Sequence, residues 1–558
     1  MSRVFVIGLD GATLDLIRPW AEEGSLPGFA RLMKDGAWGR LESTANQRSA
    51  SAWTTIMTGK NPGKHGIYEF YEYVPGTYDI RFVNASSRDS ESLWSILSDY
   101  GKKVTVINCP MTYPAEEVDG VIIAGLDSPG TDSPDFMRPE SLLAELRERF
   151  GDYIIEPGVT GFIVAGRVGE ARKKLEDEFS QKLSIARYLM ETRPWDFFMV
   201  VFRSLDAAQH CFWKYMDNGH SAHTESEGRL YGNVIFDVYK KVDGFIEELL
   251  GILEPTDSLM VVSDHGFGRK HSATGAINNW LKSKGYLAYR GKDGFFTGLV
   301  AGFYKTIVGL TSRRLKERLA RMLPALRNRV QSRLIFSGID WTRTIAYSDT
   351  LFPNIRINLK GREPSGIVDP KDYGGLMEKL KSELSGLRDS KSGLPIVWKV
   401  FSRDEIYNGP HVDMAPDILI RWREDVEIDS IMIEGEKEGT RDLAHYPLIP
   451  GEDPRIISGD HRLNGIIFLK GADIKKGCKL SSVDIADFAP TALYLMDCPI
   501  PKDMDGSVIE EAFETDALSK RRPVLDNGHI GKRPRGQGYS GRDSEQVASR
   551  LRDLGYIE

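Results

Sequence analysis

Cysteine is scarce: four residues, at 109, 211, 478 and 498, with no C-x-x-C pair. That excludes a disulfide framework and a thiolate zinc knuckle. No apolar run reaches the length of a membrane span, so no transmembrane segment is expected. The opening residues MSRVFVIGLD lack the basic start, long apolar stretch and cleavage site of a secretory leader. The expected location is cytoplasmic, with a peripheral membrane role left open. Nor is there an excess of basic charge: 73 Lys and Arg face 80 Asp and Glu, for a net −7. A nucleic-acid polymer bound through a basic surface is therefore not expected, although a local cationic pocket is permitted. Internal repeats are absent. The segment GLDGAT is not G-x-G-x-x-G, so dinucleotide binding has little support.

What the chain does have is length, 558 residues, and 41% hydrophobic residues, enough for a sizeable core. Val4–Leu9 reads as an unalternating, buried parallel strand closed by Asp10-Gly11. Val104–Asn108, Phe197–Phe202 and Ser258–Val262 read the same way, and polar residues follow each. Helical stretches lie between them, among them Glu91–Tyr100, Pro139–Phe150 and Asn233–Leu250. The alternation predicts an α/β fold, with a mostly parallel central sheet sandwiched by helices. Sites in such sheets sit beyond the strand ends.

The character changes near Asn279. A basic, helix-rich stretch follows at Tyr304–Phe336; it reads as a solvated helix pair or as a cap touching an anionic substrate. Asn354–Lys360 and Asp417–Trp422 read as strands of the same region. The main sheet resumes with Asn464–Lys470, followed by a helix at Asp484–Asp497. The expected organisation is a core of residues 1–280 and 440–515. A cap inserted at 281–439 carries a helical segment near 300–336, and 516–558 form a carboxy-terminal extension. In that extension Asn527–Ser544 reads as loop and the rest as a short helix ending at Gly555.

Four acidic and histidine groupings follow strands or precede one. Asp10 follows the first strand. Asp206 and His210 are spaced i, i+4 and share a helix face. Asp264-His265 is bracketed by glycine, and His461 stands just before a strand. Each has an ordinary reading too: a loop cap, a helix pair, a carbonyl hydrogen bond. Taken together, carboxylate oxygens and neutral imidazole nitrogens suit Zn²⁺, Mn²⁺ or Fe²⁺. Six such groups exceed one tetrahedral structural site and would suit two ions sharing a substrate oxygen. The hydroxyl-rich segment Ser43–Thr58 could supply a nucleophile, with Ser49 and Ser51 equally placed; Ser51, Thr54 and Thr55 could instead cap a helix beginning near Ala52.

Five segments carry a resemblance: IGLDGAT at 7–13, SASAWTTIMTGKNPGKHGI at 49–67, DAAQH at 206–210, SDHGFG at 263–268 and GDHRLNG at 459–465. In this order they resemble the alkaline phosphatase superfamily, especially its type I phosphodiesterase/nucleotide pyrophosphatase branch. The resemblance implies an alkaline-phosphatase-like core and two divalent metal ions, zinc first, with manganese or iron as alternatives. It implies Asp10, Asp264 and His265 as ligands of one ion, and Asp206, His210 and His461 as ligands of the other. Ser49 stands where the branch usually has a threonine nucleophile, and its alkoxide would also touch the ion held by Asp10. Related segments often read Thr-Phe-Pro where this chain has Ser49-Ala50-Ser51.

The implied activity is hydrolysis of a small phosphodiester through a covalent phosphoseryl intermediate. A phosphomonoesterase, or a phosphomutase or phosphotransferase of the same superfamily, is the enzyme alternative; a metal-stabilised binding protein is the non-enzyme one. A sulfatase is disfavoured, since Ser49-Ala50-Ser51-Ala52-Trp53 lacks its x-Pro-x-Arg continuation. Asn46 and Arg48 read as a solvent-facing loop, with a hold on a non-bridging phosphate oxygen as the alternative; His65 reads as a supporting hydrogen-bond group, with substrate contact as the alternative. His271, His411 and His445 read as exposed or packing histidines, with a role near the site as the alternative. Trp213 and Tyr215 could flank a leaving group or belong to the core. Oligomeric state is left open.

Overall fold

Strands that are apolar almost throughout must be covered on both faces, and three such strands form the centre of this molecule. The computed structural model describes residues 3–270, 277–290, 338–348, 354–426, 428, 430–432, 456–520, 522–526 and 538–554. Its central strands are β1 (Val4–Leu9), β2 (Ala37–Glu42), β3 (Val104–Ile107), β4 (Gly120–Ile123), β5 (Met137–Arg138), β6 (Phe197–Phe202) and β7 (Ser258–Val262). A short strand β8 (Gly266–Arg269) follows. The inserted region contributes β9 (Ala346–Tyr347), β10 (Asn354–Ile357), β11 (Val397–Ser402) and β12 (Ile418–Trp422). The chain returns through β13 (Gly459–Arg462), β14 (Asn464–Lys470), β15 (Cys478–Lys479) and β16 (Val483–Asp484). β1, β6 and β7 are buried along their whole length.

The main sheet runs β15-β2-β14-β7-β1-β6-β3-β4-β5, with β16 also on β2. The five strands β7, β1, β6, β3 and β4 are mutually parallel. β14 and β5 are antiparallel to their neighbours. The pleat divides β1 between two cores. Phe5, Ile7 and Leu9 enter one, built with α2 (Val168–Thr192), α3 (Ser204–Met216) and α4 (Val234–Ile252). Val4 and Val6 enter the other, built with α1 (Ser49–Thr58) and, later in the chain, Phe488–Leu495. This is the expected α/β sandwich.

Element ends differ by a few residues from those the sequence suggests. The helices span Leu93–Asp99, Leu142–Phe150 and Val234–Ile252. The expected helix at Asp484–Asp497 opens as a 3-10 turn, Ile485–Asp487, capped by Asp484, and ends at Leu495, before Asp497 turns left-handed. α1 starts at Ser49, three residues earlier than expected. The Ser51 hydroxyl bonds back to the Arg48 carbonyl, and Thr54 and Thr58 bond to carbonyls one turn earlier, so these residues lie inside the helix. His461 precedes the strand β14, as expected, and itself lies in the short strand β13, which pairs antiparallel with β8 and sets His461 opposite Phe267.

The described part of the inserted region is a four-stranded antiparallel sheet, β9-β10-β12-β11, with the helix Tyr373–Ser385 and its own apolar core. The helical segment expected near 300–336 lies outside the described residues, as do His271 and His445. At the carboxy-terminal end the helix Gly541–Asp553 starts inside the stretch expected to be loop. It docks because Val547, Ala548 and Leu551 join the second core and Arg550 donates to the Leu126 carbonyl.

Candidate metal centre

β1, β6 and β7 are parallel neighbours, so the residues that follow them emerge along one edge. Asp10 comes from the end of β1, Asp206 and His210 from α3 just after β6, and Asp264-His265 from the end of β7. The β8–β13 ribbon folds over this edge and brings His461, while α1 approaches with Ser49 at its first turn. The two rings His265 and His461 stack with centroids 3.6 Å apart. Asp10, Ser49, Asp206, Asp264 and His265 have no exposed surface; His210 and His461 keep 8% and 7%.

The three carboxylates share a pattern. One oxygen is held by the protein and the other accepts no hydrogen bond. Asp10 Oδ2 accepts from Arg203 Nη1 at 2.6 Å and Trp53 Nε1 at 3.2 Å; Oδ1 accepts none. Asp206 Oδ2 accepts from Arg203 Nη2 at 3.2 Å and Asp264 Oδ1 from the Gly11 amide at 3.2 Å, while Asp206 Oδ1 and Asp264 Oδ2 accept none. Trp53 reaches Asp10 because residue 8 is glycine; a Cβ there would stand 2.8 Å from the indole.

The histidines complement them. His265 Nδ1 meets the Gly266 carbonyl at 3.0 Å, His210 Nδ1 that of Gly459 at 3.0 Å, and His461 Nδ1 that of Gln47 at 2.7 Å. A carbonyl only accepts, so each Nδ1 carries the proton, and a neutral ring then turns an Nε2 lone pair inward; in the absence of a cation Asp206 outweighs burial and raises His210, the one ring of the three so shifted. His265 Nε2 lies 3.5 Å from Asp10 Oδ1, 3.3 Å from Asp264 Oδ2 and 3.3 Å from Ser49 Oγ. His210 Nε2 and His461 Nε2 lie 3.0 Å apart, and 3.3 and 3.5 Å from Asp206 Oδ1. Acceptors converge on acceptors, an arrangement that a cation between them reconciles. The residues therefore fit a bound divalent metal by donor type, geometry and orphaned oxygens.

Two groups have ligand atoms within 4.8 Å of one another: Asp206, His210 and His461, and Asp10, Asp206 and His265. Asp206 stands in both, so the division into two separate triads is less clean than the resemblance implies; Asp264 adjoins the second through His265. Electrostatics follow from burial. It raises the Asp10 carboxyl to about 7 and pushes Asp264 well up, helped by the neighbouring carboxylates. Burial acts on Asp206 too, but His210, His461 and Arg203 outweigh it and hold Asp206 well below its ordinary value. Burial also depresses His265 and His461, keeping them neutral and fit to ligate.

The two candidate serines separate. Ser49 Oγ faces His265, whereas Ser51 Oγ is turned into the loop, bonded to Asn46 Oδ1 at 2.7 Å, Arg48 O at 3.1 Å and Thr44 Oγ1 at 3.0 Å. Asn46 and Arg48 are both buried, not solvent-facing: Asn46 accepts from Ser51, and Arg48 pairs with Glu69 at 2.7 Å. His65 is a hydrogen-bonding support, meeting Thr55 Oγ1 and accepting from the Ile67 amide. His411 joins Asp89 at 2.9 Å, and Trp213 and Tyr215 are buried in the first core. Arg203, Trp53 and Gln47 are the site residues that motif reading missed. Gln47 takes a left-handed backbone, φ 49°, in the loop that offers its carbonyl to His461. An arginine placed directly after an all-apolar strand and three residues before a candidate ligand aspartate was the available signal for Arg203.

Among the described residues no helix is long and apolar enough to cross a membrane. No curated protein sequence matches the chain significantly. Solved structures that it resembles include human ectonucleotide pyrophosphatase/phosphodiesterase 5, at 11% identity over 92% of this chain and 100% of that one, TM-score 0.48. The murine form, an inactive variant in complex with AMP, is 12% identical over 89% and 96%, TM-score 0.47. Phosphonoacetate hydrolase from Sinorhizobium meliloti 1021, in complex with phosphonoacetate, is 13% identical over 89% and 95%, TM-score 0.49. The model of the type I phosphodiesterase/nucleotide pyrophosphatase family matches residues 4–439, a span that holds every candidate ligand except His461. The chain belongs to that family of phosphoric ester hydrolases.

Proposed function

We propose that the protein is a phosphodiesterase that uses Ser49 as nucleophile and two divalent cations, zinc first, with manganese or iron as alternatives. One observation carries the reading: the inward Nε2 atoms of His210 and His461 stand 3.0 Å apart with both Nδ1 protons committed to carbonyls. Asp206, His210 and His461 would hold one ion; Asp10, Asp264 and His265 the other, with Ser49 beside it. Bound cations would supply Lewis acidity toward the serine alkoxide and the leaving oxygen.

The chain's own part is positioning. Ser49 Oγ, fixed 3.3 Å from His265 Nε2, is aimed into the cluster from the first turn of α1. The positive end of that helix favours an anionic phosphoryl group. Attack by Oγ forms a phosphoseryl ester and breaks the bond from phosphorus to the leaving oxygen. Water then hydrolyses that ester from the opposite side, restoring Ser49 with net retention at phosphorus. The inserted region 281–439 would select the substrate, a small phosphoester. Four unpaired cysteines fit a reducing, cytoplasmic setting.

The test is a rapid quench with a chromogenic phosphodiester and Zn²⁺ or Mn²⁺, followed by peptide mapping. A phosphoryl group still carrying the substrate's remaining ester arm is expected on Ser49. The same group on Ser51, or inversion at phosphorus, contradicts the mechanism. Turnover of monoesters alone would move the assignment to a phosphomonoesterase.

A further inference from the structure

We infer that Arg203 is a positioning residue that sets the spacing of the two cation sites by holding one carboxylate of each with a single guanidinium. The inference rests on Asp10 and Asp206 being cation ligands, and it concerns a residue that takes no part in ligation. Arg203 has no exposed surface. It caps the amino end of α3, at the point where β6 hands over to the helix carrying Asp206 and His210. Its three nitrogens address three acids: Nη1 donates to Asp10 Oδ2 at 2.6 Å, Nη2 to Asp206 Oδ2 at 3.2 Å, and Nε to Glu156 Oε2 at 3.3 Å.

The division of oxygens is the telling feature. The guanidinium takes Oδ2 of both Asp10 and Asp206, and in both residues Oδ1, the atom that accepts no hydrogen bond, is the one facing the histidine nitrogens. Each carboxylate is thereby left with a single oxygen to offer to a cation. Because a guanidinium is planar and rigid, the two Oδ2 atoms are held in one plane at a spacing set by covalent geometry. Glu156 steadies the third nitrogen, away from the ligands. Lysine would keep the charge at this place but could not bridge both acids with a fixed fork. Outer partners of ligating groups typically change metal affinity about 10- to 100-fold when altered.

The experiment uses the full chain freed of metal and titrated with Co²⁺, following its visible absorption bands and its competition with a chromophoric chelator. For the unaltered chain, two bound Co²⁺ are expected. For Arg203→Lys, Co²⁺ binding should weaken about 10- to 100-fold for the second ion, with changed band positions, while circular dichroism shows the fold retained. Equal affinity and identical bands in Arg203→Lys would overturn the inference. Fewer than two Co²⁺ bound to the unaltered chain would instead overturn the two-cation reading beneath it. If Arg203→Lys does not fold, Glu156→Gln, which weakens the guanidinium's third anchor and leaves both ligand bonds in place, should give a smaller loss of the same kind. Unchanged bands and affinity there would equally overturn the inference.

Discussion

Two buried clusters in this protein both pair aspartate with arginine, and they are built to opposite ends. Asp417, with no exposed surface, immediately precedes the strand β12 in the inserted region. Its Oδ1 accepts from Arg362 Nη1 at 2.6 Å and Tyr373 at 2.8 Å; its Oδ2 accepts from Arg362 Nη2 at 2.6 Å and the Ile357 amide at 2.7 Å. Every acceptor is used, and although burial opposes it, Arg362 and these donors hold the carboxyl below its ordinary value. At the edge of the main sheet Asp10, Asp206 and Asp264 each keep one oxygen without a donor, and burial lifts Asp10 and Asp264. A satisfied buried carboxylate holds the fold together. An unsatisfied one, facing imidazole lone pairs, costs stability and is intelligible as a place for a cation.

That contrast can be broken most forcefully at Ser49. Ser49→Ala should lower turnover by on the order of 10⁴-fold or more, as loss of a nucleophile does, while leaving the melting curve unchanged. Substantial activity in that variant would remove Ser49 from the mechanism. Asp417→Asn should do the reverse. It strips Arg362 of a charged partner and should cost about 3 kcal/mol of stability, with metal content unchanged in a chemical denaturation series. A metal-content loss there would mean that the two clusters are coupled.

The pH dependences should also have opposite signs. A carboxyl raised in the folded state contributes stability that is complete below its unfolded value and is lost as pH rises toward the folded one. For Asp10 that window is 3.8 to about 7. The metal-free chain should therefore lose, relative to Asp10→Asn, up to about 1.4 kcal/mol per pH unit across it. Loaded metal should abolish the difference, because ligation takes the deprotonated form. Asp417, depressed in the fold, contributes stability present above its unfolded value and lost as pH falls through its folded one. Parallel pH profiles for Asp10→Asn and Asp417→Asn would erase the distinction. The smallest effect is expected for Ser51→Ala: about 1 kcal/mol from lost loop hydrogen bonds, with activity nearly intact.

Much of the site was legible because chemistry in an open α/β sheet follows strand ends, and strand ends are marked by all-apolar runs that stop at a charge. Val4–Leu9 before Asp10 and Ser258–Val262 before Asp264 carry that mark plainly. The helical spacing of Asp206 and His210 is equally local. What stayed hidden is the layer behind the ligands. The carbonyls of Gly266, Gly459 and Gln47 fix the three imidazoles, and a backbone carbonyl has no sequence signature. Asn46 and Arg48 look solvent-facing because polar residues beside serines resemble a loop; their burial follows from Ser51 and Glu69, partners reached only in three dimensions. Asp206 appears in both groups of possible ligands, and α3 meets His461 across 251 residues of chain, a meeting no local pattern announces.

The central claim is that converging lone pairs mark cation sites, and anomalous diffraction at the zinc edge from crystals grown with Zn²⁺ tests it most directly. Two peaks are predicted, one bounded by Asp206, His210 and His461, the other by Asp10, Asp264 and His265 with Ser49 Oγ beside it. A zinc-replete crystal with no peak between His210 Nε2 and His461 Nε2 would contradict the account.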